Sequence, residues 1–461
     1  MLPKTSGRGA WKEIQTGFLS AVAGSTVLLQ ILFLANMCYL YATQFQDSTR
    51  VHNLKMLFVD YDGGVVGQAV TDAYQAMKGN EFPTLYTKPT GQYSTPDDVR
   101  GAVCSGDYWG AIYTTKNASS SLDATFTNGT ASLNTALTYV WNGARYPAFS
   151  QSEIYSNLLV LVQASRSTYY ASSASKVLDS ANLSNPIIRE TFLDPIQASE
   201  INIKETTQGT IVLYNTVSIV MPIIQQFFFM MALNGISSQF HICTKLGYAA
   251  NGLVRMVTSL VYTFISSLCM AGYIWGFKES WDVNGNQFAL TWMVVWLFMH
   301  INFMVVDILT AFIPMQFLPF CIITWVILNV GSSISPFELN PGFFRWGYAL
   351  PAHEVYQLLV QIWSDGCQDQ SYRALPIMFS WWIVGLAVVI YATYHRCQTA
   401  LMAETETDVV KSSNAELRPS SSTADIVERE RRERRSTMES IQLERIAYGP
   451  SFPTPGVHGH V

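Results

Sequence analysis

The sequence predicts an α-helical polytopic membrane protein with six transmembrane helices and an extracellular α/β domain inserted between helices 1 and 2. The chain has 461 residues, of which 49% are hydrophobic and only 13% are charged. Soluble globular proteins carry about a quarter charged residues. Most of the charge lies in two blocks, 46–205 and 396–461. The remaining segments are long enough to cross a bilayer, because roughly 20 apolar residues span about 30 Å of hydrocarbon.

The stretch 287–337 contains one formal charge, Asp307, and one histidine, His300. It is too long for one membrane helix and has the length of two. The break should fall near Asp307 and Pro314, where a carboxylate and a helix breaker lie close together. We therefore predict a tight helical hairpin here. The six predicted spans are about 18–42, 210–232, 256–277, 288–308, 313–333 and 375–395.

Charge at the ends of these spans predicts their orientation. Residues 1–15 are basic, and the run 14–46 then carries no charge, so 16–45 is predicted as a retained first transmembrane helix. The loop 234–255 carries Lys245 and Arg255 and contains no acidic residue. By the positive-inside rule, this loop and both termini are predicted to be cytosolic.

Block 46–205 is then predicted to lie outside the cell or in the lumen. The N-glycosylation sequons of the chain, at Asn117, Asn128 and Asn182, all fall within it. A single sequon is common by chance, but three on one predicted side support the topology. The block is therefore predicted to be a glycosylated extracellular domain.

Its pattern of apolar runs and turn residues predicts a β-α-β-α-β order in a two-layer or three-layer sandwich. The predicted strands are 56–59, 82–86, 108–113 and 139–146. The predicted helices are 66–77, one starting at Thr95-Pro96 with acidic residues in its first turn, and 150–183. Residues 116–135 are rich in Ser, Thr and Asn and are predicted as a glycosylated loop or hairpin.

The membrane domain is predicted to cover 206–395. Its outer loop, 334–374, is too apolar for free solvent, and its prolines divide it into short pieces. We predict re-entrant or interfacial helices there, packed beneath the extracellular domain. Residues 396–461 lack apolar periodicity and are predicted to be a disordered cytosolic tail.

Asp60-Tyr61-Asp62-Gly63 follows an apolar strand, as the nucleophile motif of haloacid-dehalogenase phosphatases does. The downstream lysine and second acidic pair of such enzymes cannot be placed. Asp and Gly are also the usual residues of a strand-to-helix turn. We favour the turn, and we predict that the chain is not an enzyme and holds no cofactor or metal.

Polar residues within the predicted spans are candidates for an intramembrane site, namely His300, Asp307, Gln225 and Gln226. His300 and Asp307 lie seven residues apart and share one helix face, about 10 Å from each other. A proton relay is one interpretation. We favour the other, in which Asp307 is an interfacial carboxylate reached by water or headgroups near a helix end.

Seven cysteines are present, without CxxC or metal-ligand spacing. Cys104 and Cys367 are the two predicted to lie outside, where a disulfide is chemically allowed. The sequence does not decide whether they meet. Nothing in the charge pattern indicates a nucleic-acid partner.

Three stretches resemble those of the fungal nitrosoguanidine-resistance family: Phe58-Val59-Asp60-Tyr61-Asp62-Gly63-Gly64, Asp107-Tyr108-Trp109-Gly110-Ala111-Ile112 and Trp346-Gly347-Tyr348-Ala349-Leu350-Pro351. One span, a large outer α/β domain and a five-helix block also resemble the YhgE/Pip-like relatives of type-2 ABC exporter membrane domains. The resemblance covers about residues 10–400. It implies a multipass plasma-membrane protein linked to drug or toxin tolerance and to lipid organisation.

We therefore expect transport or organisation of lipids or amphipathic compounds, with membrane lipids as partners. The chain carries no nucleotide-binding motif, so energy would come from a partner ATPase, from a gradient or from neither. The alternative is a non-transporting scaffold or regulator. Its outer domain would bind a partner, and its tail would recruit a cytosolic regulator.

Overall fold

The computed structural model of the chain describes residues 7–129, 135–206, 209, 213–279 and 281–416. Its helices are α1 (Gly7–Thr43), α2 (Val65–Met77), α3 (Pro96–Cys104), α4 (Ala118–Asn128), α5 (Pro147–Phe149), α6 (Ser156–Ser180), α7 (Pro186–Leu193), α8 (Val217–Gln239), α9 (Ile242–Lys245), α10 (Gly247–Gly276), α11 (Gly285–Phe312), α12 (Leu318–Ser333), α13 (Pro351–Trp363) and α14 (Ser371–Glu416). Its strands are β1 (Lys55–Val59), β2 (Thr84–Lys88), β3 (Gly110–Thr114), β4 (Leu137–Trp141) and β5 (Ala198–Asn202).

Six helices within the described ranges are long and apolar enough to cross a membrane: α1, α8, α10, α11, α12 together with the 3-10 turn Met315–Phe317 before it, and α14. They correspond to the six predicted spans, and the chain is a multipass membrane protein. The predicted hairpin break is found where expected, since α11 ends at Phe312, just before Pro314. Several boundaries were wrong. Helix α1 begins at Gly7 rather than near 18, and α8 covers Val217–Gln239 rather than 210–232. Helix α10 begins at Gly247, well before 256, and α14 continues past 395 to Glu416.

The extension of α14 also corrects the predicted tail. Residues 396–416 are helical rather than disordered. The part of the predicted tail after 416 lies outside the described residues.

Between α1 and α8 the chain forms a five-stranded sheet in the order β2-β1-β3-β4-β5. Its strands are parallel except for the antiparallel pair β3 and β4. Side chains alternate between the faces, so Met56 and Phe58 pack with the core of α2 and α6, while Leu57 and Val59 pack with α3. Helices therefore cover both faces of the sheet, so the domain is a three-layer sandwich rather than the two-layer alternative.

The segment 116–135 shows how composition misled the sequence analysis. Residues 118–128 form α4, so the predicted loop or hairpin is wrong there. Ala118, Leu122 and Phe126 are buried at a helical spacing of four residues, and Gly129 ends the helix with φ 69°. One buried apolar face was enough to form a helix among many Ser and Thr residues.

The loop 334–374, which was predicted as an outer loop, contacts both the sheet domain and the membrane helices. It contains a 3-10 helix, Gly342–Ala349, and α13, whose residues Pro351 to Val360 are all buried. The predicted short helices are present, and α13 is enclosed by protein. Phe343 is 75% exposed, and its neighbour Phe344 is buried edge-on against Tyr39 of α1.

Several contacts join this loop to the sheet domain. Cys104, at the end of α3, forms a disulfide with Cys367, which follows α13. Tyr146 packs edge-on against Tyr356 of α13, with ring centroids 4.8 Å apart. Lys204 donates to Asp365 at 2.9 Å. The loop 334–374 is therefore the platform on which the sheet domain sits.

Candidate functional site

Polar side chains occur along the whole length of α11, and those of Gln287, Thr291, His300, Asn302 and Asp307 are all buried. Gln287 and Asp307 are separated by about 30 Å along the axis, given a rise of about 1.5 Å per residue. That distance is the thickness of a bilayer's hydrocarbon core. Polar groups buried within the bilayer need hydrogen-bond or ion-pair partners. The partners of these side chains therefore show which helices pack against α11.

The first end of α11 is held against the platform below the sheet. Gln287 donates to the carbonyl of Ile362 and to Asp365, both at 2.8 Å. Trp363 donates through its indole N–H to Thr291 at 3.1 Å. This end of the helix therefore faces the sheet domain, and Asp307 lies towards the opposite end of the bundle.

His300 lies midway along α11, between α10 and α14. The indole N–H of Trp382 donates to its Nδ1 at 2.9 Å, and its Nε2 lies 3.2 Å from Ser259 Oγ. Because an indole nitrogen only donates, Nδ1 is the acceptor, and we assign the proton of the neutral ring to Nε2. Protonation of Nδ1 would break the bond from Trp382. The geometry therefore favours a neutral histidine that links three helices.

Asp307 forms an ion cluster with two arginines, which we call the Asp307 cluster (Arg255, Asp307 and Arg396). Its Oδ1 accepts from Arg255 Nη2 at 2.5 Å and from Arg396 Nη2 at 2.8 Å. Arg255 also donates to Asn234 at 3.0 Å, and Arg396 donates to the Asp307 carbonyl and to Thr310 at 2.9 Å. The cluster therefore joins α8, α10, α11 and α14.

These contacts correct the favoured interpretation of Asp307. Its side chain is 0% exposed, so it is not an interfacial carboxylate reached by water. The proton-relay interpretation gains no support either, since no described hydrogen bond joins Asp307 to His300. Arg255 and Arg396 were missed as site residues because both were assigned to segments outside the spans. The sequence did contain a signal that could have identified them. Both arginines were predicted on the side of the membrane to which Asp307, the only acidic residue of α11, also belongs.

The two glutamines of α8 differ in environment. Gln226 is 0% exposed, and neither its Oε1 nor its Nε2 has a hydrogen-bond partner among the described residues. It lies on the same face as Ile223 and Met230, which pack against the core of α11 and α12. Gln225 is partly exposed. The structure therefore separates the two candidates and singles out Gln226 as an unpaired polar group inside the bundle.

A further buried charge lies in the platform. Glu354 of α13 is 0% exposed and pairs with Arg373 at 3.2 Å. Burial raises the pKa of Glu354 to about 7, against the opposing effect of Arg373. The neighbouring His353 bonds the carbonyl of Ser332 at 2.9 Å, and burial lowers its pKa to about 3. At neutral pH His353 is therefore uncharged, whereas Glu354 titrates.

The Asp60-Tyr61-Asp62-Gly63 motif lies in the β1–α2 connection. Oδ1 of Asp60 accepts from the backbone N–H of Asp62 and of Gly63, both at 3.0 Å, and from Thr114 at 2.7 Å. Asp62 accepts from the N–H and hydroxyl of Ser119. Both carboxylates are therefore engaged in holding the turn, as the turn interpretation requires. That the chain is not an enzyme stays a prediction.

The three sequon asparagines lie on the surface of the sheet domain. Asn117 precedes α4, Asn128 ends it, and Asn182 follows α6, and each is exposed. Thr130, the acceptor-motif threonine after Asn128, lies outside the described residues. Each asparagine side chain is accessible to a glycosylating enzyme, and its modification stays a prediction.

A protein-family model matches residues 25–387, which include the sheet domain, Arg255 and Asp307 but not Arg396. The chain belongs to the DUF3533 family. That family is described as a protein of unknown function. The match begins inside α1 and ends inside α14.

A curated relative is the uncharacterized endoplasmic reticulum membrane protein YJR015W of Saccharomyces cerevisiae. It is 28% identical over 165 residues, which cover 33% of this chain and 32% of the relative. The match therefore spans about a third of the relative's length. No solved structure matches the chain.

Proposed function

We propose that this protein moves or organises lipids or other amphipathic molecules in the membrane that holds it. The observation that carries the proposal is Gln226, whose amide is buried without a described partner between α8 and α11. An unsatisfied buried polar group costs about 1–3 kcal/mol. A helix bundle that only needed to be stable would gain by placing leucine there. The amide is instead available to a polar headgroup or to water that accompanies one.

The proposal keeps two features of the resemblance to exporter membrane domains and to the fungal nitrosoguanidine-resistance family. These are the place of the sheet domain outside the membrane and a link to drug or toxin tolerance. The plasma membrane is our predicted location, and the name of the yeast relative offers the endoplasmic reticulum instead. Fluorescence imaging of the tagged full chain beside markers of both membranes distinguishes the two.

Reconstitution tests the activity. The purified full chain is placed in liposomes with a fluorescent phospholipid, with and without ATP and cell extract, and movement between leaflets is followed by chemical quenching. We expect movement by the wild type and at least about fivefold slower movement by Gln226→Leu, which should also melt at a higher temperature because it removes an unsatisfied amide. Gln239→Leu, which changes an exposed glutamine of the same helix, is the matched control and should behave as the wild type.

If the wild type moves no lipid in any of these conditions, transport is refuted. If Gln226→Leu raises the melting temperature and leaves movement unchanged, the assigned role of Gln226 is wrong.

The alternative is a scaffold or regulator, and one observation favours it. Helix α14 continues from Arg396 to Glu416, which is about 30 Å of helix, and exposes Leu401 and Met402. Exposed apolar side chains on an extended helix are suited to a cytosolic partner. Truncation after residue 400 should abolish co-purification of such a partner and leave lipid movement intact.

Orientation is tested through the sequons. Enzymatic removal of N-glycans should lower the apparent mass of the wild type. The variant with Asn117, Asn128 and Asn182 all changed to Gln should run at that lower mass without treatment. An untreated triple variant with the mobility of the untreated wild type would contradict the external placement of the sheet domain or show that the sequons are unused.

A further inference from the structure

The Asp307 cluster contains more positive than negative charge. Arg255 and Arg396 contribute two positive charges, and Asp307 contributes one negative charge. The Arg255 side chain is 3% exposed and that of Asp307 is 0% exposed, so the excess charge is poorly solvated. Buried charge is normally paired, and an unpaired one is costly. The excess positive charge therefore calls for an anion.

Hydrogen-bonding capacity points the same way. Arg255 Nε and Arg396 Nη1 are both buried, and neither has a hydrogen-bond partner among the residues that the structure describes. Guanidinium N–H groups bind phosphate and carboxylate oxygens in a fork geometry. Two arginines therefore present unused donors beside a net positive charge.

The position of the Asp307 cluster in the bilayer and the exposure of Arg396 indicate which anion can reach the two arginines. Asp307 lies one and a half turns before the end of α11 at Phe312, about 7 Å along the axis, at the end of the bundle away from the sheet. Phosphate groups of lipids lie at that level of a bilayer, and basic pockets between membrane helices bind them. The Arg396 side chain is 17% exposed and so provides the open side of the cluster.

We infer that the Asp307 cluster is a binding site for a phosphate group that keeps a terminal hydroxyl, as a monoester or inorganic phosphate does, with Arg396 at its entrance and Arg255 at its base. Two phosphate oxygens accept from Arg396 Nη1 and Arg255 Nε. The unpartnered Oδ2 of Asp307 accepts from a phosphate hydroxyl or from a water. The inference deepens the proposed function and rests on it for what the bound molecule does. The phosphate belongs either to a lipid headgroup or to a free anion.

Binding is measured on the delipidated full chain in detergent, as the rise in melting temperature with ligand. The probes are dihexanoyl phosphatidic acid, inorganic phosphate and dihexanoyl phosphatidylcholine, which lacks the monoester. We expect phosphatidic acid to raise the melting temperature and phosphatidylcholine to leave it unchanged. Arg396→Gln should weaken the apparent affinity at least about tenfold, the usual scale of a lost charge-assisted bond. Lys245→Gln, which removes an exposed cation at the same end of the bundle, should leave it within about twofold.

The two sources of phosphate give different results. Stabilisation by phosphatidic acid alone assigns the site to a lipid headgroup, and equal stabilisation by inorganic phosphate assigns it to a free anion. The inference is overturned if neither probe stabilises the wild type, or if Arg396→Gln and Lys245→Gln weaken binding equally.

A second pair of variants covers the case in which Arg396→Gln does not fold. Arg396→Lys keeps the charge and loses the fork, so it should bind phosphatidic acid more weakly than the wild type but lose less than tenfold in affinity. Asp307→Asn removes the negative charge, which raises the net charge of the cluster by one, and this variant should bind phosphatidic acid more tightly than the wild type. A purely structural ion cluster predicts the same probe response in both variants and in the wild type.

Failure of this inference can be told apart from failure of the proposed function. Lost phosphate binding in Arg396→Gln with unchanged lipid movement overturns the link between the site and transport. Retained binding in a wild type that moves no lipid overturns the proposed transport and leaves the site standing.

Discussion

Asp307→Asn is the substitution that tests the architecture of the membrane domain most directly. The change keeps the size of the side chain and removes the charge that holds two arginines together. Arg255 Nη2 and Arg396 Nη2 lie 2.5 and 2.8 Å from one oxygen, Asp307 Oδ1. They are therefore at most about 5 Å apart, and two unit charges at that distance repel by about 3 kcal/mol at an effective dielectric constant of about 20.

Removal of one partner from a buried ion pair typically costs about 3–5 kcal/mol, and this repulsion accounts for much of it. We therefore expect Asp307→Asn to lose about 3–5 kcal/mol of stability without bound anion. The loss is measured by denaturant titration of the delipidated protein in detergent, followed by tryptophan fluorescence. Asp72→Asn, at an exposed position in α2, is the control and should change stability by less than about 0.5 kcal/mol.

The double variant Asp307→Asn/Arg396→Gln restores the net charge of the cluster. It should be more stable than the sum of the two single changes predicts, with a coupling energy of at least about 1 kcal/mol. An Asp307→Asn protein within about 0.5 kcal/mol of the wild type would refute the reasoning, because the carboxylate would then hold no buried charge in place.

Three further predictions concern the platform and the sheet domain. Replacement of both Cys104 and Cys367 by Ser should lower stability by about 2–5 kcal/mol, because the bond closes a separation of 263 residues in the unfolded chain. The melting temperature of the wild type should fall between about pH 5 and 7 relative to Glu354→Gln. Folding raises the pKa of Glu354 from 4.5 to about 7, so between these two pH values the folded protein binds a proton that the unfolded chain has lost. The stability that this proton contributes is complete below pH 4.5 and is lost as the pH rises to about 7. Asp60→Asn should lower stability by about 0.5–2 kcal/mol, the usual range for a lost cap or turn bond, and leave the correctly located protein functional.

Each of these has a contradicting result. If a reductant lowers the stability of the double Cys variant as much as that of the wild type, the effect of the reductant does not come from the Cys104–Cys367 bond. A wild-type melting profile parallel to that of Glu354→Gln at every pH would mean that Glu354 is not the titrating group. Loss of function in a stable, correctly located Asp60→Asn protein would favour the phosphatase interpretation over the turn.

The strands and helices of the sheet domain were mostly predictable, because local patterns encode them. Thr95-Pro96 illustrates this. Thr95 accepts from the N–H of Asp98, and Asp98 accepts from the N–H of Thr95, so the capping signal read from the sequence starts α3. By contrast, β5 and α7 were not predicted. Strand β5 lacks a clear alternation and is formed by pairing with β4, a neighbour far earlier in the chain. Helix α7 begins with a signal that was overlooked, the cap Asn185 followed by Pro186.

The candidate site was only partly predictable. His300, Asp307 and Gln226 could be selected because polar groups are rare within apolar spans. Their environments could not be inferred, since burial depends on which helices pack against them. Arg255 illustrates the limit: α10 begins at Gly247, before the apolar core of the span, so Arg255 lies within the helix and meets Asp307 of α11.

The sequence by itself determined which segments form helices long and apolar enough to cross the membrane, and where each lies to within a few turns. This is because the cost of placing polar residues in hydrocarbon acts on each segment separately. The tertiary structure decided what the polar residues do. Asp307 meets Arg255, 52 residues earlier, and Arg396, 89 residues later, and Cys104 meets Cys367 across 263 residues. Such pairings depend on the packing of whole helices and domains, which no local pattern along the chain specifies.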